Sequence, residues 1–290
     1  VVEGFKQVKE KILITGANGQ LGLDIVEYCS INGIEHYPAT RNSFDITNTN
    51  DVVKFIRKYK PTKIIHCAAF TAVDDCEIDI DKALFTNQMG TTNIVKAADL
   101  VKAHITYISS DYVFDGEKGE PYTENDTPAP VSVYGISKFL GEQELRPTDA
   151  VVRTSWVNGR HGKNIVKTIL RIAQDSTELS FVNDQKGSPS FTEDIAPVIV
   201  NISRNSAHGP WHVTNQGEAT WYEFAKNVLS IAGIHTEVMP ISTEEMSPPR
   251  PARRPRNSVL DNMRLRDAGF QPTDHYIVPL TRLVGELVSS

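Results

Sequence analysis

The chain has 290 residues, 40% of them hydrophobic and 23% charged, which suits a packed core in one large or two joined domains and argues against disorder. Thirty basic against 36 acidic residues leave a net charge of −6, which speaks against a general nucleic-acid binder. Three scattered cysteines (Cys29, Cys67, Cys76) exclude a disulfide framework and fit a reducing cytoplasm, and no apolar run nears the ~18 residues of a membrane span.

The opening residues do not read as a signal peptide, and residues 1–10 are set apart from the fold. A short apolar strand is predicted over 11–15, followed at once by a glycine-rich turn and a helix over 20–32 that Gly33 stops. A strand near 35–39 and a helix near 50–59 follow, the latter closed by Pro61. Next come a strand over 63–67, one long helix over 81–101, a strand over 104–109, a helix over 133–145 and a strand over 150–155. Strands apolar on both faces, alternating with amphipathic stretches, predict an α/β fold with a Rossmann-like, doubly wound parallel sheet. The second half predicts helices over 164–174, 193–201, 220–232 and 275–287, separated by short strands and loops. Residues 11–155 are therefore assigned to a Rossmann domain completed by later segments. Residues 156–290 are assigned mainly to a smaller α/β C-terminal substrate lobe over the C-terminal strand edges.

The turn after the first strand reads Gly16-Ala17-Asn18-Gly19-Gln20-Leu21-Gly22. Glycines there allow a tight turn, close approach of a pyrophosphate to a helix N-terminus, and tight packing of helix on sheet. The competing reading is a tight turn that binds nothing. The second strand ends Ala39-Thr40-Arg41, with no acid to hold a ribose 2′-hydroxyl. Arg41 could instead meet a 2′-phosphate, which favours NADP(H) and leaves NAD(H) possible. Small residues after the third strand (Ala68, Ala69, then Thr71) would let the chain pass close beneath an adenosine.

Tyr134-Gly135-Ile136-Ser137-Lys138 places a phenol and an ammonium on one helix face. A nearby ammonium favours the phenolate, so Lys138 is expected to lower the pKa of Tyr134. Ser109 and Ser110, ending the fourth strand, supply hydroxyls. The segment 246–258 is dense in proline and arginine, and Arg250, Arg253, Arg254 and Arg256 could meet a pyrophosphate. Of these, Arg253 and Arg256 are taken as the substrate contacts. Trp156 offers either an apolar plate for a sugar or ordinary core packing. The histidines show no metal-ligand spacing, and His66 reads as a core residue; no metal site is assigned.

These motifs resemble the extended branch of the short-chain dehydrogenase/reductase superfamily. The segments Asn18–Gly22, Ser110-Asp111-Tyr112-Val113-Phe114-Asp115-Gly116, Pro121–Glu124, Val133–Lys138 and Arg153–Val157 resemble one family in it, the dTDP-4-dehydrorhamnose reductases, from about residue 11 to 288. The resemblance implies NAD(P)H-dependent reduction of the C4 ketone of dTDP-4-dehydro-L-rhamnose. Tyr134 would be the proton donor, Ser110 the hydroxyl that orients the substrate oxygen, and Lys138 the residue that fixes the cofactor. It places Asp45 and Ile46 near the adenine, Ser109 beside the cofactor, and Asn87 at a structural asparagine. Ser110, Asp111 and Trp156 map to sugar contacts. The family is usually written with Thr at the Ser110 position; serine keeps the hydroxyl and loses a methyl. The expected partner is a dTDP-linked sugar, without nucleic acid or membrane, for a monomer or homodimer. A magnesium role stays open, with Glu193 as a candidate ligand. Alternatives are another nucleotide-sugar reductase or epimerase, or a non-catalytic NADP-binding regulatory subunit. The Asp-Glu pair of a dehydratase is absent, because Tyr112 follows Asp111.

Overall fold

The computed structural model describes residues 9–289; residues 1–8, and with them that part of the signal-peptide reading, lie outside the described residues. The first half alternates β1 (Ile12–Thr15), α1 (Gln20–Ile31), β2 (His36–Ala39), α2 (Thr49–Tyr59) and β3 (Lys63–His66). Short helices α3 (Val73–Ile78) and α4 (Ile80–Leu84) lead through a π-helical turn, Phe85–Met89, into α5 (Gly90–Val101). Then come β4 (His104–Ser110), α6 (Val133–Gln143) and β5 (Ala150–Thr154). The second half contains β6 (Val157–Asn158), α7 (Ile165–Ala173), β7 (Glu178–Val182), β8 (Lys186–Gly187), β9 (Ser190–Phe191) and α8 (Thr192–Arg204). It ends with β10 (Gly209–His212), β11 (Ala219–Thr220), α9 (Trp221–Ala232), β12 (Glu237–Ile241), α10 (Met263–Asp267) and α11 (Ile277–Ser289).

Six parallel strands form the main sheet in the order β10-β5-β4-β3-β1-β2. The two-residue period of a strand explains why it is apolar on both faces. Ile12 and Ile14 meet α1 and α8 residues such as Ile25, Ile195 and Ile199, while Leu13 meets Val52, Ile56 and Ile94 on the other side. From β1 the chain runs to β2 at one edge, then returns past β1 to β3. That reversal opens a crevice at the C-terminal end of β1, where the glycine turn lies.

Strand β10 and helix α8 come from the second half yet belong to the main sheet and its covering layer. The remaining second-half elements gather around another apolar cluster, including Val166, Phe191, Phe224, Val228 and Leu283. There β7 and β12 pair in parallel, a pairing between residues far apart in sequence that short local patterns do not announce.

The expected single helix over 81–101 is corrected to α4, the π turn and α5. Asp79 caps the start of α4 by accepting from Lys82 N at 3.1 Å. Within the π turn, Asn87 turns its amide inward to accept from Phe70 N (2.7 Å) and donate to Phe70 O and Ser137 Oγ (3.0 and 2.8 Å). These bonds tie the loop after β3 to helix α6, and a straight helix would not present the side chain there. No helix among the described residues is long and apolar enough to cross a membrane.

Candidate active site

Every element that ends at the crevice contributes to one cleft of about 940 Å³. Its floor begins at the glycine turn. Gly16 has φ +65°, and a Cβ there would lie 2.7 Å from Ala68 N. A Cβ on Gly22 would lie 2.3 Å from Gly16 O. The turn thus packs against both the β3 loop and its own helix, which leaves Asn18, Gly19, Gln20 and Leu21 on the cleft wall at the start of α1. Such a cradle at a helix N-terminus fits a dinucleotide pyrophosphate.

Arg41, Asp45, Ile46, Ala68, Ala69 and Thr71 line the same cleft. Arg41 is exposed at the end of β2. Asp45 is engaged by its own loop, accepting from Thr47 N and Oγ1 at 2.9 and 2.8 Å, and those bonds hold its carboxyl below the usual range. Asn87 is not on the cleft wall. It is 1% exposed, so its contribution is the clamp between loop and helix described above. His66 is likewise a core residue: Thr15 Oγ1 lies 2.6 Å from its Nδ1 and Thr91 Oγ1 3.3 Å from its Nε2, and burial lowers its pKa to about 3.

Ser109, Ser110, Asp111, Tyr134, Lys138 and Trp156 converge on the opposite part of the cleft. Ser132 caps α6 by accepting from Gly135 N at 3.2 Å, which sets Tyr134 in the first turn and Lys138 one turn later. Burial raises the Tyr134 pKa, and the neighbouring Ser110 hydroxyl only partly opposes it. The expectation that Lys138 lowers Tyr134 is therefore corrected: burial governs the phenol. The Lys138 ammonium instead donates to Ile108 O at 2.7 Å and sits over the Tyr107 ring, 4.1 Å from its centroid. Burial pulls Lys138 down to about 7, against the attraction of Glu142 one turn further along α6. Glu142 in turn accepts from Ser109 Oγ (2.5 Å) and from Arg153 Nε and Nη2 (3.0 and 2.7 Å), a buried pair behind the two motif residues.

Trp156 has φ +45° and stacks on Trp221 with ring centroids 3.5 Å apart and planes 6° apart. Both indoles line the cleft. Sequence reasoning missed Trp221, since nothing local in the sequence pairs the start of α9 with the end of β5.

Arg253 and Arg256 are not brought to this cleft. They line a neighbouring concavity of about 560 Å³ together with Arg250, Arg254, Glu117 and Asp184. Arg253 pairs with Glu117 at 3.3 Å, whereas Arg254 takes both Asp74 oxygens at 3.0 and 2.9 Å. Glu193 pairs with Arg282 at 2.7 Å. Among the described residues, Asp24, Glu27 and His161 bring ligand atoms within 4.8 Å of one another, but the Arg160 guanidinium already pairs with both acids there.

Residues 10–288 match the RmlD substrate binding domain family. The spore coat polysaccharide biosynthesis protein SpsK of Bacillus subtilis is 37% identical over 265 residues, covering 90% of this chain and 93% of its own length. A dTDP-4-dehydrorhamnose reductase of Aggregatibacter actinomycetemcomitans is 37% identical over 279 residues, 91% of this chain and 95% of its own. The crystal structure of dTDP-4-dehydrorhamnose reductase from Bacillus anthracis in complex with NADP superposes with a TM-score of 0.91 at 40% identity, covering 96% of this chain and 99% of that one. The chain belongs to the RmlD substrate binding domain family.

Proposed function

We propose that this protein is an NADP(H)-dependent oxidoreductase that reduces the C4 ketone of dTDP-4-dehydro-L-rhamnose to dTDP-L-rhamnose. The observation that carries the reading is the convergence of Tyr134, Ser110 and Lys138 on the cleft that also holds the Gly16–Gly22 turn. The NADP-bound relative favours this cofactor, and the exposed Arg41 at the end of β2 is suited to a 2′-phosphate.

Bound in this cleft, the nicotinamide supplies a hydride to the carbonyl carbon. Tyr134 gives its phenolic proton to the carbonyl oxygen as negative charge develops there, which leaves an alcohol on the sugar and a phenolate on the enzyme. Ser110 orients that oxygen, Lys138 holds the nicotinamide ribose, and solvent returns the proton to the phenolate. Trp156 and Trp221 together present an apolar face to the sugar. The main contributions to rate are proximity and fixed polarity in the cleft.

The test is absorbance at 340 nm with purified protein, NADPH or NADH, and dTDP-4-dehydro-L-rhamnose made in situ by the preceding enzymes. Stoichiometric oxidation of NADPH that falls at least ~10²-fold in Tyr134→Phe, with NADPH binding retained, is expected. Tight NADPH binding without oxidation would move the assignment to another nucleotide sugar or to a binding subunit.

A further inference from the structure

We infer that Trp221, rather than Trp156, is the aromatic surface on which the substrate's sugar ring lies, which makes Trp221 a specificity-determining residue. The inference rests on the proposed reduction of a nucleotide-linked sugar in this cleft. It departs from the sequence-based expectation that Trp156 itself offers a plate to the sugar.

Both faces of the Trp156 indole are covered by the protein. One carries Trp221, parallel to within 6° and with ring centroids 3.5 Å apart. The other carries the backbone of Gly187. A Cβ on Gly187 would lie 2.5 Å from both Nε1 and Cε2 of Trp156 and 3.0 Å from Cζ2. A point outside the ring but in its plane, equally far from Nε1 and Cε2, would come closer to Cζ2 than to either. The contact therefore lies over a face of the indole. Its three nearest atoms all belong to Trp156 and none to Trp221, so this face is the one turned away from the stack. The pairing of β8 with β11 builds the slot: Gly187 stands opposite Ala219, and Trp221 follows two residues later. Within it Trp156 holds φ +45°, a conformation that a bulky residue keeps only when its surroundings enforce it. What Trp156 can turn toward the cleft is an edge.

Trp221 is placed differently. It opens α9, whose start is fixed by a capping box: Thr220 Oγ1 accepts from Glu223 N at 3.2 Å, and Glu223 accepts from Thr220 N at 2.8 Å. Phe224, one turn further on, stands 6.2 Å from both indole centroids, at 84° and 90° to their planes. Equal distances and nearly perpendicular planes put Phe224 beside the stack, not on top of it. Of the ring contacts of Trp221, one thus fills a face and the other lies at its side. The second face is left for the cleft that this half-buried residue lines. Pyranose rings carry C–H groups on their faces, and a 6-deoxy sugar adds a methyl where other hexoses carry a hydroxyl. A flat indole gains from apolar contact and leaves an extra hydroxyl without a hydrogen-bond partner. Backed by Trp156 and Gly187, the indole cannot recede to admit a more polar sugar.

Two measurements test the inference. The first uses the wild-type protein: limited oxidation with N-bromosuccinimide, followed by peptide mass spectrometry, ranks Trp156, Trp211 and Trp221 by reactivity. Trp221 is expected to react before Trp156, and added dTDP-L-rhamnose, but not dTDP, is expected to protect it. Equal rates, or Trp156 first, overturn the inference whatever the substrate proves to be. The second compares binding of dTDP-L-rhamnose and dTDP to the NADP-loaded protein by calorimetry. Trp221→Ala is expected to weaken dTDP-L-rhamnose at least about tenfold and to leave dTDP and NADPH within about twofold. Trp221→Phe keeps a smaller ring face and is expected to recover most of that loss. Equal losses for dTDP-L-rhamnose and dTDP would place the indole against the base and overturn the inference, as would unchanged affinity for both. Should the alanine variant not fold, protection of wild-type Trp221 by the sugar nucleotide decides. Failure of wild type to bind either nucleotide, with Trp221 still the first to react, would reject the substrate assignment alone.

Discussion

Lys138 offers the sharpest test of the site's electrostatics, and it does not depend on knowing the substrate. The ammonium is 2% exposed, and burial lowers its pKa from 10.5 to about 7. In the unfolded chain it returns to the ordinary lysine value near ~10.4. Below pH 7 both states hold the proton, and the cost of burying the charge is fully present. As pH rises above 7 the folded chain releases the proton while the unfolded chain keeps it. Stability therefore rises with pH, by about 1.4 kcal/mol per unit. Between about pH 7.5 and 9 this one group contributes about 2 kcal/mol, or about 3 °C in melting temperature for a chain of this size. Lys138→Met removes the titration, and calorimetry without added cofactor across that pH range compares the two proteins. The methionine variant is expected to melt higher near pH 7.5, with its advantage shrinking by those few degrees toward pH 9. Packing differences shift the offset between the two curves but not its pH dependence. An offset that stays flat, or grows, would refute a buried lysine poised near neutrality.

Three further outcomes follow from geometry. Gly22→Ala would put a Cβ 2.3 Å from Gly16 O, so the turn must open; NADPH affinity by fluorescence titration should fall at least about tenfold, and unchanged affinity would remove the turn from the cofactor site. Glu142→Gln leaves the Arg153 guanidinium, 4% exposed, without its carboxylate, and urea unfolding should show a loss of about 3–5 kcal/mol; a loss under about 1 kcal/mol would mean that the pair contributes little. Arg41→Ala should weaken NADPH at least about tenfold and leave NADH binding nearly unchanged, whereas equal losses would reject contact with the 2′-phosphate.

The parts of this protein that could be read from its sequence are those whose physics is local. Apolar runs such as Ile12–Thr15 declare buried parallel strands, and the Gly16–Gly22 turn joins one to the start of a helix over a few residues. Tyr134 and Lys138 share a helix face because their spacing fixes it. What stayed hidden depends on chain segments that meet only after folding. Trp221 stacks on Trp156, Arg254 takes Asp74, and Asn87 in the π turn bonds to both Phe70 and Ser137.

Helix α6 shows how the two kinds of information join. Tyr134, Lys138 and Glu142 stand at successive intervals of four residues and are all buried. The first two form a recognisable motif, while the third reads in sequence as one more helical glutamate. Only the fold reveals that Glu142 is held by Arg153 from β5 and by Ser109 from β4. A lysine buried this deeply loses its charge unless a carboxylate is fixed nearby, and that carboxylate is itself costly to bury without a cation and a hydroxyl. Burial of the motif lysine thus calls for an acid, the acid for an arginine, and the arginine for a neighbouring strand. For that reason the helix and the centre of the sheet work as one unit in holding Tyr134 and Lys138 at the cleft.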